Sequence, residues 1–130
     1  MQQHTKKILI IDDEELLRDM LVTVLTDEGY DVDSASNGEE ACKLLTNNYD
    51  LLVTDLFMPK VNGFDLIAKS QLVSPQTKTI LVSGGGKDLV AKHDSQHVEY
   101  LGKELNVSLF LIKPWDLHEM LSNIKTLLQD

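Results

Sequence analysis

Four short stretches of this 130-residue chain place reactive side chains just beyond apolar runs. Asp12-Asp13-Glu14-Glu15 follows Ile8–Ile11, Thr54-Asp55 follows Leu51–Val53, Ser83-Gly84-Gly85-Gly86 follows Ile80–Val82, and Lys113-Pro114 follows Leu109–Ile112. Carboxylates are hard oxygen ligands. An open site holding a few of them suits Mg²⁺, which keeps several waters and takes one or two carboxylates plus a phosphate. Asp12, Asp13 and Asp55 are the candidate metal ligands. Like charges about 4 Å apart repel by roughly 4 kcal/mol per pair at an effective dielectric near 20, so such a cluster needs a cation. A carboxylate can also attack phosphorus and form an aspartyl phosphate. That reaction depends on positioning and charge neutralisation, for which Lys113 offers a point charge, Ser83 a hydroxyl donor, and backbone N–H groups after Asp55 and Ser83 further donors.

Each of these groups has a plainer reading. Asp12, Asp13 and Asp55 could form a solvated acidic rim or favour the start of a helix, Lys113 could be an exposed turn lysine, and Gly84-Gly85-Gly86 a simple turn. The glycines followed by Lys87 do not make a nucleotide-binding P-loop, which would require glycine where Leu81 stands and Ser or Thr where Asp88 stands. His93 and His97 could share a helix face, but without the glutamate of a zinc-protease motif they read as a solvated face. Cys42 and Trp115 read as packing residues.

Bringing the acids, the hydroxyl and the amine together is the task of the elements between them. The four apolar runs have the length of strands covered on both faces, and a fifth strand around Tyr30–Ala35, with Tyr30 and Val32 alternating with Asp31 and Asp33, suits a sheet edge. Leu17, Met20, Leu21 and Val24 give a first helix stopped by Gly29. Asn37 with Glu40, and Asp116 with Glu119, have the spacing of capping boxes. They open a second helix and a fifth, the latter carrying Leu117, Met120, Leu121, Ile124 and Leu128. Phe64, Ile67, Ala68 and Leu72 predict a third helix after Asn62-Gly63, and Val98, Leu101 and Leu105 a fourth. Regular alternation of strand and helix predicts the α/β class, a doubly wound parallel sheet with helices on both faces. Ligands of such sheets gather beyond the carboxyl ends of the strands, where all four reactive stretches fall.

The set Asp12-Asp13, Asp55 with Met58-Pro59 and Gly63, Ser83-Gly84, and Lys113-Pro114 resembles the receiver domain of two-component response regulators, over nearly the whole chain from Lys7 to about Leu128. The resemblance implies a five-stranded, flavodoxin-like parallel sheet in the order 2-1-3-4-5. It implies Asp55 as phosphoacceptor, Asp12 and Asp13 as the acidic pair that binds Mg²⁺, and the Phe57 backbone carbonyl as a further metal ligand. Ser83 becomes the switch hydroxyl, Lys113 the phosphoryl-binding lysine, and Phe110 the aromatic whose rotamer follows the hydroxyl, lacking here the hydroxyl of a tyrosine. The Lys113-Pro114 bond is often cis in that family. Implied partners are a sensor histidine kinase or histidine phosphotransfer protein, and a downstream protein on the face of the fourth helix, fifth strand and fifth helix. Ser83 and Lys113 lie 30 positions apart (113 minus 83), longer than the family's usual spacing, which points to an added loop or turn. Two rival readings remain at this stage. One is a haloacid-dehalogenase-like Mg²⁺ phosphatase, whose nucleophile belongs in an Asp-x-Asp motif after the first strand; the other is a receiver-like interaction module that is never phosphorylated.

Composition agrees with one domain over residues 1–130, with a core over about 7–128. Hydrophobic residues are 42% and charged residues 25%, close to globular averages. Twelve Lys and Arg against 21 Asp and Glu leave a formal net charge of -9, which argues against direct binding to nucleic acid. A single cysteine allows no internal disulfide, and no apolar run is long enough for a signal peptide or membrane span, so a cytoplasmic location is expected. The chain is expected to be a switch rather than an enzyme, catalysing only its own phosphorylation and dephosphorylation.

Overall fold

The computed structural model describes residues 5–58, 60–84 and 105–129. Five strands, β1 (Lys7–Ile11), β2 (Asp31–Ala35), β3 (Leu51–Asp55), β4 (Lys78–Gly84) and β5 (Leu109–Lys113), pair in parallel in the order β2-β1-β3-β4-β5. Four α-helices are described: α1 (Glu15–Asp27), α2 (Gly38–Leu44), α3 (Gly63–Val73) and α4 (Leu117–Leu128), with a 3-10 turn at Leu45–Asn47. The expected doubly wound sheet and its strand order are therefore both present.

The sheet is covered on two sides because its strand residues alternate between two cores. Leu9, Ile11, Leu52 and Leu81 pack with Ala41 of α2 and with Leu66 and Ile67 of α3. Ile8, Ile10, Leu51, Val53, Ile80 and Val82 pack with Leu21 and Leu25 of α1 and with Met120, Ile124 and Leu128 of α4. Helix ends follow local chemistry. Gly29 adopts a left-handed φ of 98°, and bonds from Gly29 N–H to Thr26 O and from Tyr30 N–H to Leu25 O close α1 as a Schellman motif. Asn37, Asn62 and Asp116 each accept a backbone N–H three residues on, from Glu40, Asp65 and Glu119. Only the forward half of the expected capping boxes is present: Glu40 instead accepts a hydrogen bond from the Ser36 hydroxyl.

Three details differ from the sequence reading. Ile112, in an apolar run read as a strand covered on both faces, is 60% exposed on β5, the edge strand of the expected order. Met20 and Leu72 do not join the core. The buried stripe of α1 centres on Leu21 and Leu25, and that of α3 on Leu66, Ile67 and Ser70. Leu72, five positions past Ile67, is turned about 140° around the helix axis and is 86% exposed. The fourth helix expected around Val98–Leu105, together with Pro59, Gly85, Gly86, His93 and His97, lies outside the described residues, except that Leu105 itself stands in a turn.

Candidate functional site

Strand register brings the reactive residues to one rim. Asp12 directly follows β1, Asp55 ends β3 opposite Val82, and Lys113 ends β5 opposite Gly84, so Ser83 on β4 lies between Asp55 and Lys113. From β5 the Lys113 side chain crosses the end of β4 and places Nζ 3.3 Å from an Asp55 oxygen and 3.3 Å from an Asp12 oxygen. A third carboxylate, Glu14, lies nearer still, with Oε1 2.9 Å from Nζ. Asp12, Asp13 and Asp55 each offer an oxygen within 4.8 Å of the others', forming a possible metal-ligand group among the described residues. Asp12 and Asp55 are buried, whereas Asp13 is exposed.

The local backbone is shaped to hold this arrangement. The Asp12 carboxylate accepts the Glu14 N–H at 2.8 Å, and the Arg18 guanidinium donates to the Asp12 carbonyl at 2.8 Å, which fixes the turn from β1 into α1. Gly63 N–H donates to the Leu56 carbonyl, and a Cβ on Gly63 would come within 2.5 Å of the Asp55 carbonyl oxygen. Glycine is thus what lets α3 start hard against the end of β3. The buried Thr54 hydroxyl donates to the Asp55 carbonyl at 3.0 Å. The Lys113-Pro114 bond is cis.

Burial and the neighbouring Asp12 charge, partly offset by Lys113, push the Asp55 carboxyl up to about 8. Burial alone would pull the Lys113 ammonium down, but the Glu14 hydrogen bond and the charges of Asp55 and Asp12 more than reverse it and hold Lys113 above the usual lysine range. The cation that the acidic cluster requires is therefore already supplied in part by Lys113. Ser83 is 2% exposed, and its hydroxyl has no hydrogen-bond partner among the described residues. A buried hydroxyl left without a partner is costly, so Ser83 is a donor that an acceptor at this rim could use.

Asp12, Asp13, Asp55, Ser83 and Lys113 are thus brought together as the sequence predicts. Phe57 and Phe110 sit close by, each half-buried against the α2/α3 core, and Phe110 pairs with Leu81 in register, two residues before Ser83. Sequence reasoning missed Glu14 as the closest partner of Lys113. The signal available was a third consecutive acid, which by itself reads as the start of a helix. All the donors are oxygens, a set that fits a hard cation such as Mg²⁺ and not a thiolate- or imidazole-seeking metal. The arrangement has the groups that phosphoryl chemistry calls on: a buried carboxylate, an ammonium, a buried hydroxyl and acids that could hold a cation.

Comparison with known proteins gives a consistent result. A family model described as the response regulator receiver domain matches residues 8–125. The chain is 35% identical over 123 residues to the transcriptional regulatory protein CpxR of Escherichia coli K12, covering 95% of this chain and 49% of that protein. It is 32% identical over 124 residues to the response regulator ArlR of Staphylococcus saprophyticus, covering 95% and 52%. The chain therefore spans about half the length of the curated relatives it matches. Among solved structures, a CheY-like receiver domain protein from Methanospirillum hungatei superposes with a TM-score of 0.83 at 26% identity, covering 95% of this chain and 93% of that one. The response regulator TrrA of Thermotoga maritima, solved in complex with Mg²⁺ and BeF, gives 0.75 at 29% identity, covering 95% and 100%.

Proposed function

The chain belongs to the response regulator receiver domain family, and from that premise we propose that Asp55 is its phosphoacceptor, loaded by a sensor histidine kinase or a histidine phosphotransfer protein. The observation that carries this reading is the Lys113 ammonium held 3.3 Å from both Asp55 and Asp12 at the rim of the sheet. In the transfer, an Asp55 carboxylate oxygen forms a bond to phosphorus as the donor's P–N bond breaks. The imidazole leaves with the electron pair and regains a proton from solvent. Lys113 neutralises charge on the phosphoryl oxygens, and the Ser83 hydroxyl, which has no partner among the described residues, donates to one of them.

Asp12, Asp13, Asp55 and the Phe57 carbonyl are the groups that would hold Mg²⁺. When bound there, Mg²⁺ supplies the positive charge that keeps Asp55 ionised and offsets the phosphoryl oxygens. The Mg²⁺ and BeF held by TrrA support this assignment by analogy. Once Ser83 turns toward the phosphoryl group, Phe110 follows it, favouring a conformation read by a downstream protein on the face that includes β5 and α4. On this reading residues 1–130 act as one cytoplasmic receiver unit, a switch that catalyses only its own phosphorylation and dephosphorylation. Among the described residues no helix is long and apolar enough to cross a membrane.

Incubation with radiolabelled acetyl phosphate and Mg²⁺ tests the reading. Transient label on Asp55, lost in Asp55→Asn, is the expected result. Sustained release of phosphate would instead indicate the phosphatase, and absence of label the inert module. The phosphatase is already disfavoured by position, because Asp12-Asp13 is not an Asp-x-Asp motif and the isolated acid follows β3.

A further inference from the structure

We infer that Glu14 is a positioning residue that acts through Lys113, holding the ammonium in the unphosphorylated state and competing for it with an incoming phosphoryl group. The inference rests on the phosphoacceptor reading of Asp55. Short side chains such as Asp, Asn, Ser and Thr cap a helix by accepting a backbone N–H of the first turn, a geometry that the longer Glu does not favour. Glu14 is the N-cap of α1 and makes no such side-chain bond, which leaves its carboxylate available to Lys113. Its own N–H is pinned to Asp12 at 2.8 Å, and its carboxylate turns to Lys113 at 2.9 Å, nearer than Asp12 or Asp55 at 3.3 Å.

A lysine ammonium has three N–H donors and here faces three carboxylates. A phosphoryl group on Asp55 adds new acceptors, so one existing partner must give way. Asp12 and Asp55 have side chains only 7% and 8% exposed, and Asp55 carries the phosphoryl group itself. The Glu14 side chain is 60% exposed and is resolvated as soon as it swings outward. It is therefore the partner that leaves, and its departure is a step that the unaltered chain must make and a chain without it need not.

The test uses the full chain with radiolabelled acetyl phosphate and saturating Mg²⁺, reading the initial rate of label on Asp55. Glu14→Gln keeps the side-chain shape at an exposed position and is expected to label roughly two- to fivefold faster, the size of one half-exposed ion pair. Glu14→Asp keeps the charge but is one methylene shorter, and it is expected to label like Glu14→Gln. If Glu14→Asp labels like the unaltered chain while Glu14→Gln labels faster, general charge at the rim is responsible and the inference is overturned. In a Lys113→Met background Glu14→Gln is expected to add no further factor, whereas the same gain there would show an effect that bypasses Lys113 and would also overturn it. An unaltered chain that takes no label on Asp55 sinks the phosphoacceptor reading. Normal labelling that Glu14→Gln leaves unchanged or slows sinks only the role of Glu14.

Discussion

At the scale of single residues the rim is a compromise between burial and charge. Asp55 is held at about 8 in the folded chain, against an ordinary carboxyl value near 3.8, chiefly by burial and by Asp12. The folded state therefore keeps a proton on Asp55 across a pH range in which the unfolded chain has released it. Its contribution to stability is greatest at low pH and falls as pH rises from about 4 through about 8. Asparagine has nearly the same shape without the charge, and it leaves Lys113 paired with Asp12 and Glu14. Asp55→Asn should then melt several degrees higher than the unaltered chain at pH 8.5 without added metal, and the gap should close toward pH 4. A gap that does not depend on pH would show that Asp55 is not the strained group. Asp13 behaves differently. The charge-repulsion argument from sequence treats all three aspartates alike, but Asp13 is exposed and its repulsion is screened by water. Asp13→Ala is accordingly expected to abolish Mg²⁺ binding, measured by calorimetry, while changing the metal-free melting temperature little.

At the scale of elements, the backbone of Asp55 is held in place by how closely α3 approaches the end of β3. Gly63 begins α3 with no room for a side chain, since a Cβ would meet the Asp55 carbonyl oxygen at 2.5 Å and the Leu56 Cα at 2.9 Å, both backbone atoms. Gly63→Ala must push the loop after Asp55 away from its place, at a cost of about 1–3 kcal/mol typical of overpacking. It should also slow labelling of Asp55 by acetyl phosphate more than an Asn62→Ala change, which removes a cap of about 1 kcal/mol but leaves the contact intact. Equal slowing by the two would assign the effect to general loosening of α3. This scale also shows how far the sequence could be read. The caps at Asn37 and Asp116 and the stop at Gly29 were legible because they depend on side chains a few positions apart. The exposure of Ile112 and Leu72 was not, because it depends on what covers each face of the edge strand and on which arc of a helix meets the sheet. For the same reason the acids and the lysine could be placed on one rim from strand ends alone, whereas the reach of Glu14 to Lys113 is a contact between residues 99 positions apart.

At the scale of the whole molecule, a formal net charge of -9 and a rim of converging acids mean that the folded state gathers carboxylates that could hold a cation, an arrangement the unfolded chain lacks. A ligand that binds only the folded state stabilises it by about 2.7 kcal/mol at a hundred times its dissociation constant. For a domain of this size that corresponds to a rise in melting temperature of roughly 10 °C. Protons and the cation compete for Asp55, so the rise should be larger at pH 8.5 than at pH 6, where the folded chain must first give up the proton. General screening of the negative surface would stabilise the chain too, but that effect follows ionic strength rather than ion identity. Thermal melts at matched ionic strength in MgCl₂ and KCl separate the two contributions. The expected outcome is a pH-dependent rise in MgCl₂ that Asp13→Ala removes. Equal curves in both salts, or a rise that persists in Asp13→Ala, would mean that the three aspartates do not act together as a divalent-cation site.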